Sequence, residues 1–288
     1  MNRFRSLIPA VSASVLAAGN LHRCHSTTPP SPLSIATACR PKRPAQGGAC
    51  GEDACIVVQS SPQRTILAVA DGVGGWRKSG IDPSLFSNAL VNCIAEVAGE
   101  GAEGDPLALM KGAFWRLVDR FVKREWRPFG SATCCIAVVD SNTGKETLRV
   151  ANLGDSGLMV IRGGDVVFRT QVGQAAFNTP HQLTLRPEGV ASDTTKQATT
   201  ANVTLDGGDI IVLGTDGLFD NVFPDDIVRT VTGEKTADCM AKALVAIARF
   251  NSIRTDYESP FAVEAVRSGK FHVGGKPDDI TVIVAIVQ

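Results

Sequence analysis

Long apolar runs, an excess of one charge and paired cysteine motifs are all missing from this sequence of 288 residues. The longest uninterrupted apolar stretch, residues 282–287, is far shorter than the ~20 residues that span a bilayer as a helix. Basic and acidic residues are equal in number, 29 of each, so no global field attracts nucleic acid or anionic lipid. We therefore expect no transmembrane segment and no nucleic-acid partner.

The eight cysteines form no recognised reactive motif. No Cys-x-x-Cys is present, and no cysteine is followed six positions later by arginine, which excludes the thiolate loop of cysteine-dependent phosphatases. Cys134 and Cys135 are neighbours in an apolar segment and are predicted to face opposite sides of a strand. The pattern favours buried, reduced thiols in an intracellular protein.

Acidic residues are also missing from the first 51 positions, which carry six basic residues and many Ser and Thr. This composition is typical of a transit peptide. We predict a cleavable organelle transit peptide and linker over residues 1–47, directed to mitochondria (the matrix), with a plastid as the alternative. A secretory signal and a plain disordered tail remain open. The rest of the chain is net acidic.

Short apolar and alternating segments after residue 54 predict a series of strands bounded by Gly, Asp or Asn. The predicted strands cover residues 55–59, 65–70, 131–140, 148–153, 157–161, 166–170, 210–214 and 280–287. Many short strands joined by tight turns favour antiparallel sheets. We predict an α+β fold in one domain over residues 48–288, with two antiparallel sheets packed face to face and covered by helices.

Two helices have explicit start signals, because Asp82-Pro83 and Asp105-Pro106 each precede an apolar stripe at helical spacing. The second helix is predicted to end near residue 126. Later helices are predicted at residues 225–231, 236–250 and 260–268. Residues 171–208 lack strong periodicity and are interpreted as a surface flap.

Acidic residues stand where apolar strands end or begin. Asp71 and Asp216 each follow an apolar strand and precede a glycine, and Asp278 precedes the last strand. The end of one antiparallel strand lies beside the start of its neighbour, so we expect the three to converge on one sheet edge. Clustered carboxylates repel unless a cation neutralises them, and all-oxygen ligands favour Mg²⁺ or Mn²⁺. Gly72 has no side chain, which lets its carbonyl approach such an ion.

Six short motifs follow one another in a fixed order between residues 52 and 282. They are Glu52-Asp53, Asp71-Gly72-Val73-Gly74-Gly75, Gly130-Ser131-Ala132-Thr133, Asn152-Leu153-Gly154-Asp155-Ser156, Gly214-Thr215-Asp216-Gly217-Leu218-Phe219-Asp220 and Asp278-Asp279-Ile280-Thr281-Val282. In residue types and order the chain resembles the metal-dependent type 2C serine/threonine protein phosphatases. Two further segments, Gly74-Gly75-Trp76 and Phe177-Asn178-Thr179-Pro180, are similar to the mitochondrial branch of that family.

The resemblance implies a four-layer α-β-β-α sandwich with two Mn²⁺ or Mg²⁺ ions at one end. It also implies that a metal-activated water hydrolyses phosphoserine and phosphothreonine on phosphoprotein substrates. We expect a monomer. Asp71, Asp216 and Asp278 are the catalytic residues that the motifs imply.

The same resemblance gives each site residue a role. Asp71 bridges both ions, Gly72 supplies its carbonyl, and Asp216 and Asp278 complete the protein ligands. Glu52 and Asp53 hold water ligands of the ions. Asp155 joins Asp216 in holding a third, weaker ion. The implied metal-binding residues are Asp71, Gly72, Asp216, Asp278, Glu52, Asp53 and Asp155.

Two positions depart from the family pattern. The family usually has an arginine four residues before the glutamate, where it contacts the substrate phosphate, but that position here is Gly48, and the nearest bases are Lys42 and Arg43. A histidine often found two residues after the first metal aspartate is here Val73. Phosphate recognition and leaving-group protonation therefore stay open.

Two other functions compete. Gly154-Asp155-Ser156-Gly157 is similar to the nucleophile segment of chymotrypsin-type proteases, but that chain order requires an upstream histidine, and only His22 and His25, both in the predicted leader, precede Ser156. A catalytically weak phosphatase fold used as a regulatory or binding module is the remaining alternative. The intact metal aspartates favour an enzyme.

Overall fold

The structure is a computed structural model that describes residues 33–43, 48–101, 104–123, 127–142 and 145–288. Residues 1–32, most of the predicted transit peptide, lie outside these ranges.

The strands, short and mostly apolar, follow one another in this chain order: β1 (Leu33–Arg40), β2 (Asp53–Ser61), β3 (Arg64–Asp71), β4 (Gly130–Ala132), β5 (Cys134–Asn142), β6 (Lys145–Leu153), β7 (Gly157–Arg162), β8 (Asp165–Arg169), β9 (Gln174–Ala176), β10 (Thr179–Pro180), β11 (Leu183–Leu185), β12 (Ala191–Ser192), β13 (Thr199–Leu205), β14 (Ile210–Gly214) and β15 (Ile280–Val287). Two antiparallel five-stranded sheets contain most of them. The first sheet has the order β1-β15-β14-β7-β8, and the second has the order β13-β6-β5-β3-β2.

The helices are α1 (Pro83–Gly99), α2 (Pro106–Val122), α3 (Asp216–Phe219), α4 (Pro224–Thr232), α5 (Ala237–Ser252) and α6 (Pro260–Arg267). The predicted start signals are confirmed, because the Asp82 side chain accepts from Ser84 N and the Asp105 side chain from Leu107 N, both at 3.1 Å. Residues 124–126, where the second helix was predicted to end, lie outside the description. None of the described helices has the length and apolarity needed to cross a membrane.

The elements stack in four layers. α1 and α2 bury their apolar faces on the second sheet, α4 and α5 bury theirs on the first, and a third apolar cluster fills the space between the sheets. Cys134 faces the helix layer and Cys135 faces the space between the sheets, as the strand period requires. The predicted α+β sandwich with α-β-β-α layers is confirmed.

β1 corrects the predicted domain boundary at residue 48. It pairs antiparallel with β15 from Leu33↔Val287 to Arg40↔Ile280, and Leu33 is buried. The folded domain therefore begins at or before residue 33. The basic composition of the N-terminal segment led to its assignment as a transit peptide. The partner strand of β1 lies some 240 positions away in sequence, so no local signal revealed the pairing.

Two further corrections concern strand boundaries. The predicted flap contains β13, an edge strand that pairs with β6 and alternates its exposure. The predicted strand 131–140 is two strands that break at Thr133. Thr133 makes two hydrogen bonds to Asp71 at the end of β3. Its N–H donates to Asp71 O (3.0 Å), and its Oγ1 accepts from Asp71 N (3.2 Å). That break fixes the backbone of Asp71.

One cysteine pair differs from the predicted reduced thiols. Cys39 in β1 and Cys50 form a disulfide across eleven positions. The other described cysteines are free, and among them only Cys239 is exposed.

Candidate metal centre

Three carboxylates from different parts of the sandwich meet at one end of it. Asp71 ends β3 in the second sheet, Asp216 opens α3 just after β14 in the first sheet, and Asp155 lies in the turn that crosses from β6 to β7. One oxygen of each lies within 4.8 Å of the others. The prediction that the aspartates converge on the edge of one sheet is therefore wrong. Both sheets contribute carboxylates, and the site lies between the sheets.

Asp278 joins this group through a lysine that the sequence reasoning missed. Lys276 Nζ lies 2.5 Å from Asp216 Oδ2, 2.7 Å from Asp220 Oδ2 and 3.5 Å from Asp278 Oδ2. The Lys276 side chain is only 16% exposed, so the carboxylates largely enclose its charge. Asp220 stood in a quoted motif, but no local signal points to Lys276.

Burial, and then repulsion between the carboxylates, raises the pKa values of Asp71, Asp155 and Asp278. Burial and then Asp216 hold the pKa of Asp71 well above its usual range. Burial, with Asp216 next, raises the pKa of Asp155 to about 8 and that of Asp278 to about 7. This electrostatic cost is what a bound divalent cation removes.

Two buried oxygens support that interpretation. Asp53 Oδ1 and Asp155 Oδ1 are enclosed and have no hydrogen-bond partner among the described residues. A buried polar atom without a partner is costly, and an oxygen-only donor set suits a hard cation. The residues present therefore fit the Mn²⁺ or Mg²⁺ centre that the motifs imply.

Glu52 and Asp53 flank the cluster but have protein partners. The Glu52 carboxylate pairs with Arg77, and Asp53 Oδ2 accepts from Thr215 Oγ1 at 2.8 Å. Asp53 also stands opposite Asp71 in the β2–β3 register. Both residues lie beside the centre, which agrees with an outer-sphere role and leaves Asp71 and Asp216 as the inner pair.

Gly72 is required for a reason that the sequence reasoning did not give. A Cβ at this position would lie 2.7 Å from the backbone oxygens of both Glu52 and Pro83. Gly72 N also donates to Glu52 O at 3.1 Å. The missing side chain lets three backbone segments meet at the end of β3.

The serine of the Gly-Asp-Ser motif is not arranged as a nucleophile. Ser156 is buried, and its hydroxyl lies 2.9 Å from Thr133 Oγ1. No described histidine bonds to it. The protease interpretation has no geometric support.

Comparisons with known proteins agree with this geometry. A family model described as "Stage II sporulation protein E (SpoIIE)" matches residues 61–288. "Protein phosphatase PTC7 homolog" of Homo sapiens is 39% identical over 252 residues, covering 83% of this chain and 81% of that relative. The protein of the same name from Danio rerio is 39% identical over 253 residues, covering 83% and 82%.

Solved structures give the same result. The X-ray structure of the photosystem II phosphatase PBCP has a TM-score of 0.76 and 36% identity, covering 89% of this chain and 99% of that one. The catalytic domain of the serine threonine protein phosphatase PstP, in complex with 2 manganese ions, has a TM-score of 0.55 at 19% identity, covering 88% and 98%. The second likeness shows the fold alone.

Proposed function

The chain belongs to the metal-dependent type 2C family of protein serine/threonine phosphatases, and from this premise we propose that it hydrolyses phosphoserine and phosphothreonine at the Asp71–Asp155–Asp216 cluster with Mn²⁺ or Mg²⁺. It is an enzyme that depends on divalent metal and acts on phosphoproteins. The observation that carries the proposed site is the meeting of three carboxylates within 4.8 Å, two of them buried.

Asp71, Asp216 and Asp278 would hold two ions. When bound, such ions supply Lewis-acid activation of the phosphoryl group and of the attacking water. Asp155 and Asp216 are proposed to hold a third, weaker ion. Thr133 positions Asp71 through a hydrogen bond to its backbone N–H. Lys276 contacts both Asp216 and Asp278 and so holds the two carboxylates near each other.

The test compares Asp216→Asn with Asp165→Asn, which removes an exposed carboxylate from the β7–β8 hairpin. Hydrolysis of p-nitrophenyl phosphate and of a phosphothreonine peptide is measured in EDTA, Mn²⁺, Mg²⁺ and Ca²⁺. Asp216→Asn should lose roughly 100-fold or more of the rate, equivalent to about 3 kcal/mol of barrier. Asp165→Asn should leave it unchanged. Normal turnover in a folded Asp216→Asn variant rules out the proposed site.

Asp155→Ala separates a weak ion site from a turn residue. We expect it to retain two tightly bound ions and a near-normal melting temperature, but to lower the rate roughly 10-fold, the low end for a positioned proton donor. Metal stoichiometry, melting and turnover are measured on one preparation. Unchanged turnover returns Asp155 to a structural role.

Import into an organelle, with the mitochondrial matrix preferred over a plastid, is proposed from the basic N-terminal composition. Because β1 begins at Leu33, cleavage should leave that residue attached to the mature chain. N-terminal sequencing of the protein from purified organelles should therefore give a start before residue 33. A start at Met1, or recovery outside organelles, contradicts the proposal.

A further inference from the structure

The Cys39–Cys50 disulfide closes a loop that reaches the metal centre. β1 ends at Arg40 opposite Ile280, so the chain leaves the sheet beside Asp278 and Asp279. The described residues of this cross-linked loop, 39–43 and 48–50, are joined at both ends by the covalent bond. The disulfide therefore ties residues 39–43 to residues 48–50 while the bond is intact.

Asp279 fixes both sides of the loop. Its Oδ1 accepts from Lys42 N at 2.5 Å and its Oδ2 accepts from Glu52 N at 2.8 Å. Gly51 follows the disulfide with φ +77°, and a Cβ there would lie 2.1 Å from Asp279 Oδ1. Since only glycine fits this contact, the loop is seated on the residue next to a proposed metal ligand.

The seated loop carries a cation to the centre. Lys42 Nζ lies 3.8 Å from Asp278 Oδ1, and its side chain is 40% exposed. At that distance the contact is a loose ion pair, so the ammonium has donors to offer to another group.

Arg169 lines a pocket with Asp155, and its guanidinium lies over the Phe219 ring, 5.6 Å from the ring centroid. Arg77 and Lys276 also lie near the centre, and both are paired with carboxylates. Arg77 pairs with Glu52 and lies 3.7 Å from Asp82. Lys276 is largely enclosed by its three carboxylates. Neither can turn to a substrate without leaving a buried or half-buried carboxylate unpaired.

We propose that Lys42 binds the phosphoryl group of the substrate, and that the Cys39–Cys50 disulfide and Asp279 position it for that contact. This rests on the proposed phosphatase function. The position usually occupied by a phosphate-binding arginine is here Gly48, in the same loop, where a Cβ would meet only Asn88 and Gly51. Lys42 supplies the missing charge from six residues earlier.

The disulfide makes this contact sensitive to thiols. A dithiol such as dithiothreitol cleaves the Sγ–Sγ bond, passes two electrons and two protons to give two cysteine thiols, and is itself oxidised to its cyclic disulfide. Reduction frees one end of the loop, and Lys42 then loses its position. In a reducing compartment, where thiols are kept reduced, substrate binding should weaken accordingly.

Lys42→Gln tests the contact directly. With Mn²⁺-loaded enzyme, the KM for p-nitrophenyl phosphate and the inhibition constant of inorganic phosphate should both rise about 10-fold, because a charge-assisted hydrogen bond to the phosphoryl group is lost. Calorimetric binding of inorganic phosphate should weaken equally, and kcat should change less than about twofold. Lys42→Arg should restore most of the loss. Lys78→Gln, which removes an exposed charge from the same end of the molecule, is the matched control.

Cys39→Ser tests the positioning. The variant should reproduce the higher KM and the weaker phosphate binding of Lys42→Gln, and dithiothreitol should have no further effect on it. In the wild type, dithiothreitol should raise the KM as mass spectrometry detects two new thiols. Cys239→Ser, which removes the exposed free thiol, should respond to dithiothreitol like the wild type.

The outcomes separate this inference from the proposed function. If the wild type fails to hydrolyse any phosphomonoester, the proposed function is wrong. If the wild type is active and Lys42→Gln keeps its phosphate affinity, Lys42 is not the phosphate contact. If Cys39→Ser only lowers the melting temperature and leaves the KM unchanged, the disulfide is structural and the positioning role is overturned.

Discussion

Lys276 is the residue that lets the carboxylate cluster exist without a metal ion. Its ammonium contacts Asp216 and Asp220 at hydrogen-bond distance, and it lies 3.5 Å from Asp278. Lys276 lowers the pKa values of Asp155, Asp220 and Asp278, so without it burial and mutual repulsion would raise them further. The lysine therefore acts as an internal counter-ion.

Replacing Lys276 by methionine should destabilise the metal-free protein. Removing one partner from a buried ion pair costs about 3 kcal/mol, which corresponds to a melting temperature roughly 6–12 °C lower for a domain of this size. Thermal melting in EDTA measures the loss, and added Mn²⁺ should recover part of it. Lys242→Met, which removes an exposed i,i+4 partner of Asp238, should change melting little. Equal melting of the two variants in EDTA would contradict the counter-ion role.

The pKa values give the metal-free protein a distinctive pH dependence. Burial, with Asp216 next, raises the pKa of Asp155 to about 8 and the pKa of Asp278 to about 7. The pKa of an aspartate in an unfolded chain is about 3.9. Between these limits the folded state holds protons that the unfolded chain releases, so stability falls as pH rises. We expect the melting temperature in EDTA to fall by several degrees from about pH 5.5 to about pH 8.

Saturating Mn²⁺ should remove or reverse this decline, because metal ligation requires the deprotonated carboxylates. Differential scanning calorimetry at matched ionic strength measures both series. A metal-free melting temperature that rises over the same range is inconsistent with raised carboxyl pKa values.

At the residue scale, the sequence predicted the acidic groups but not the cations. Asp71 and Asp216 could be found because each stands between an apolar strand and a glycine. Lys276 has no such local signal, since its position depends on chain segments distant in sequence. Lys42 could be named only as one of two bases near the missing arginine, because the contact that brings it to Asp278 is also distant in sequence. The Cys39–Cys50 pair was missed for a related reason: Cys39 was assigned to the leader by composition.

At the element scale, local patterns predicted the core strands and the capped helices well. β14 and β15 were found at their observed bounds because both are continuous apolar runs. β1 and β13 were missed because each lies at one edge of a sheet and is only half-buried. Edge strands depend on the partner strand more than on their own apolar content, so periodicity is a weak guide to them.

β1 provides a test at this scale. A chain lacking residues 1–32 should melt at the temperature of the full chain and keep its activity. A chain lacking residues 1–40 should lose its cooperative transition or become insoluble, since β15 would become an exposed apolar edge. Circular dichroism melting and turnover of both truncations check this. Normal melting of the chain that lacks residues 1–40 would show that the fold does not depend on β1.

At the scale of the whole molecule, the two sheets hold opposite halves of the proposed site. The second sheet carries Asp71, the first carries Asp216 and Asp278, and the apolar cluster between the sheets sets their separation. Asp279, at the start of β15, accepts from Glu52 N, which precedes β2, and so joins the sheets at the site itself. Packing between the sheets is therefore a condition for metal binding.

Anomalous diffraction from crystals of the Mn²⁺-loaded, catalytically active protein is the sharpest test of the proposed metal centre, because it locates the ions. We expect two strong peaks among Asp71, Asp216 and Asp278, with any third and weaker peak between Asp155 and Asp216. Strong peaks elsewhere, or no peak at Asp71 in a preparation whose activity depends on Mn²⁺, would contradict the proposed metal centre.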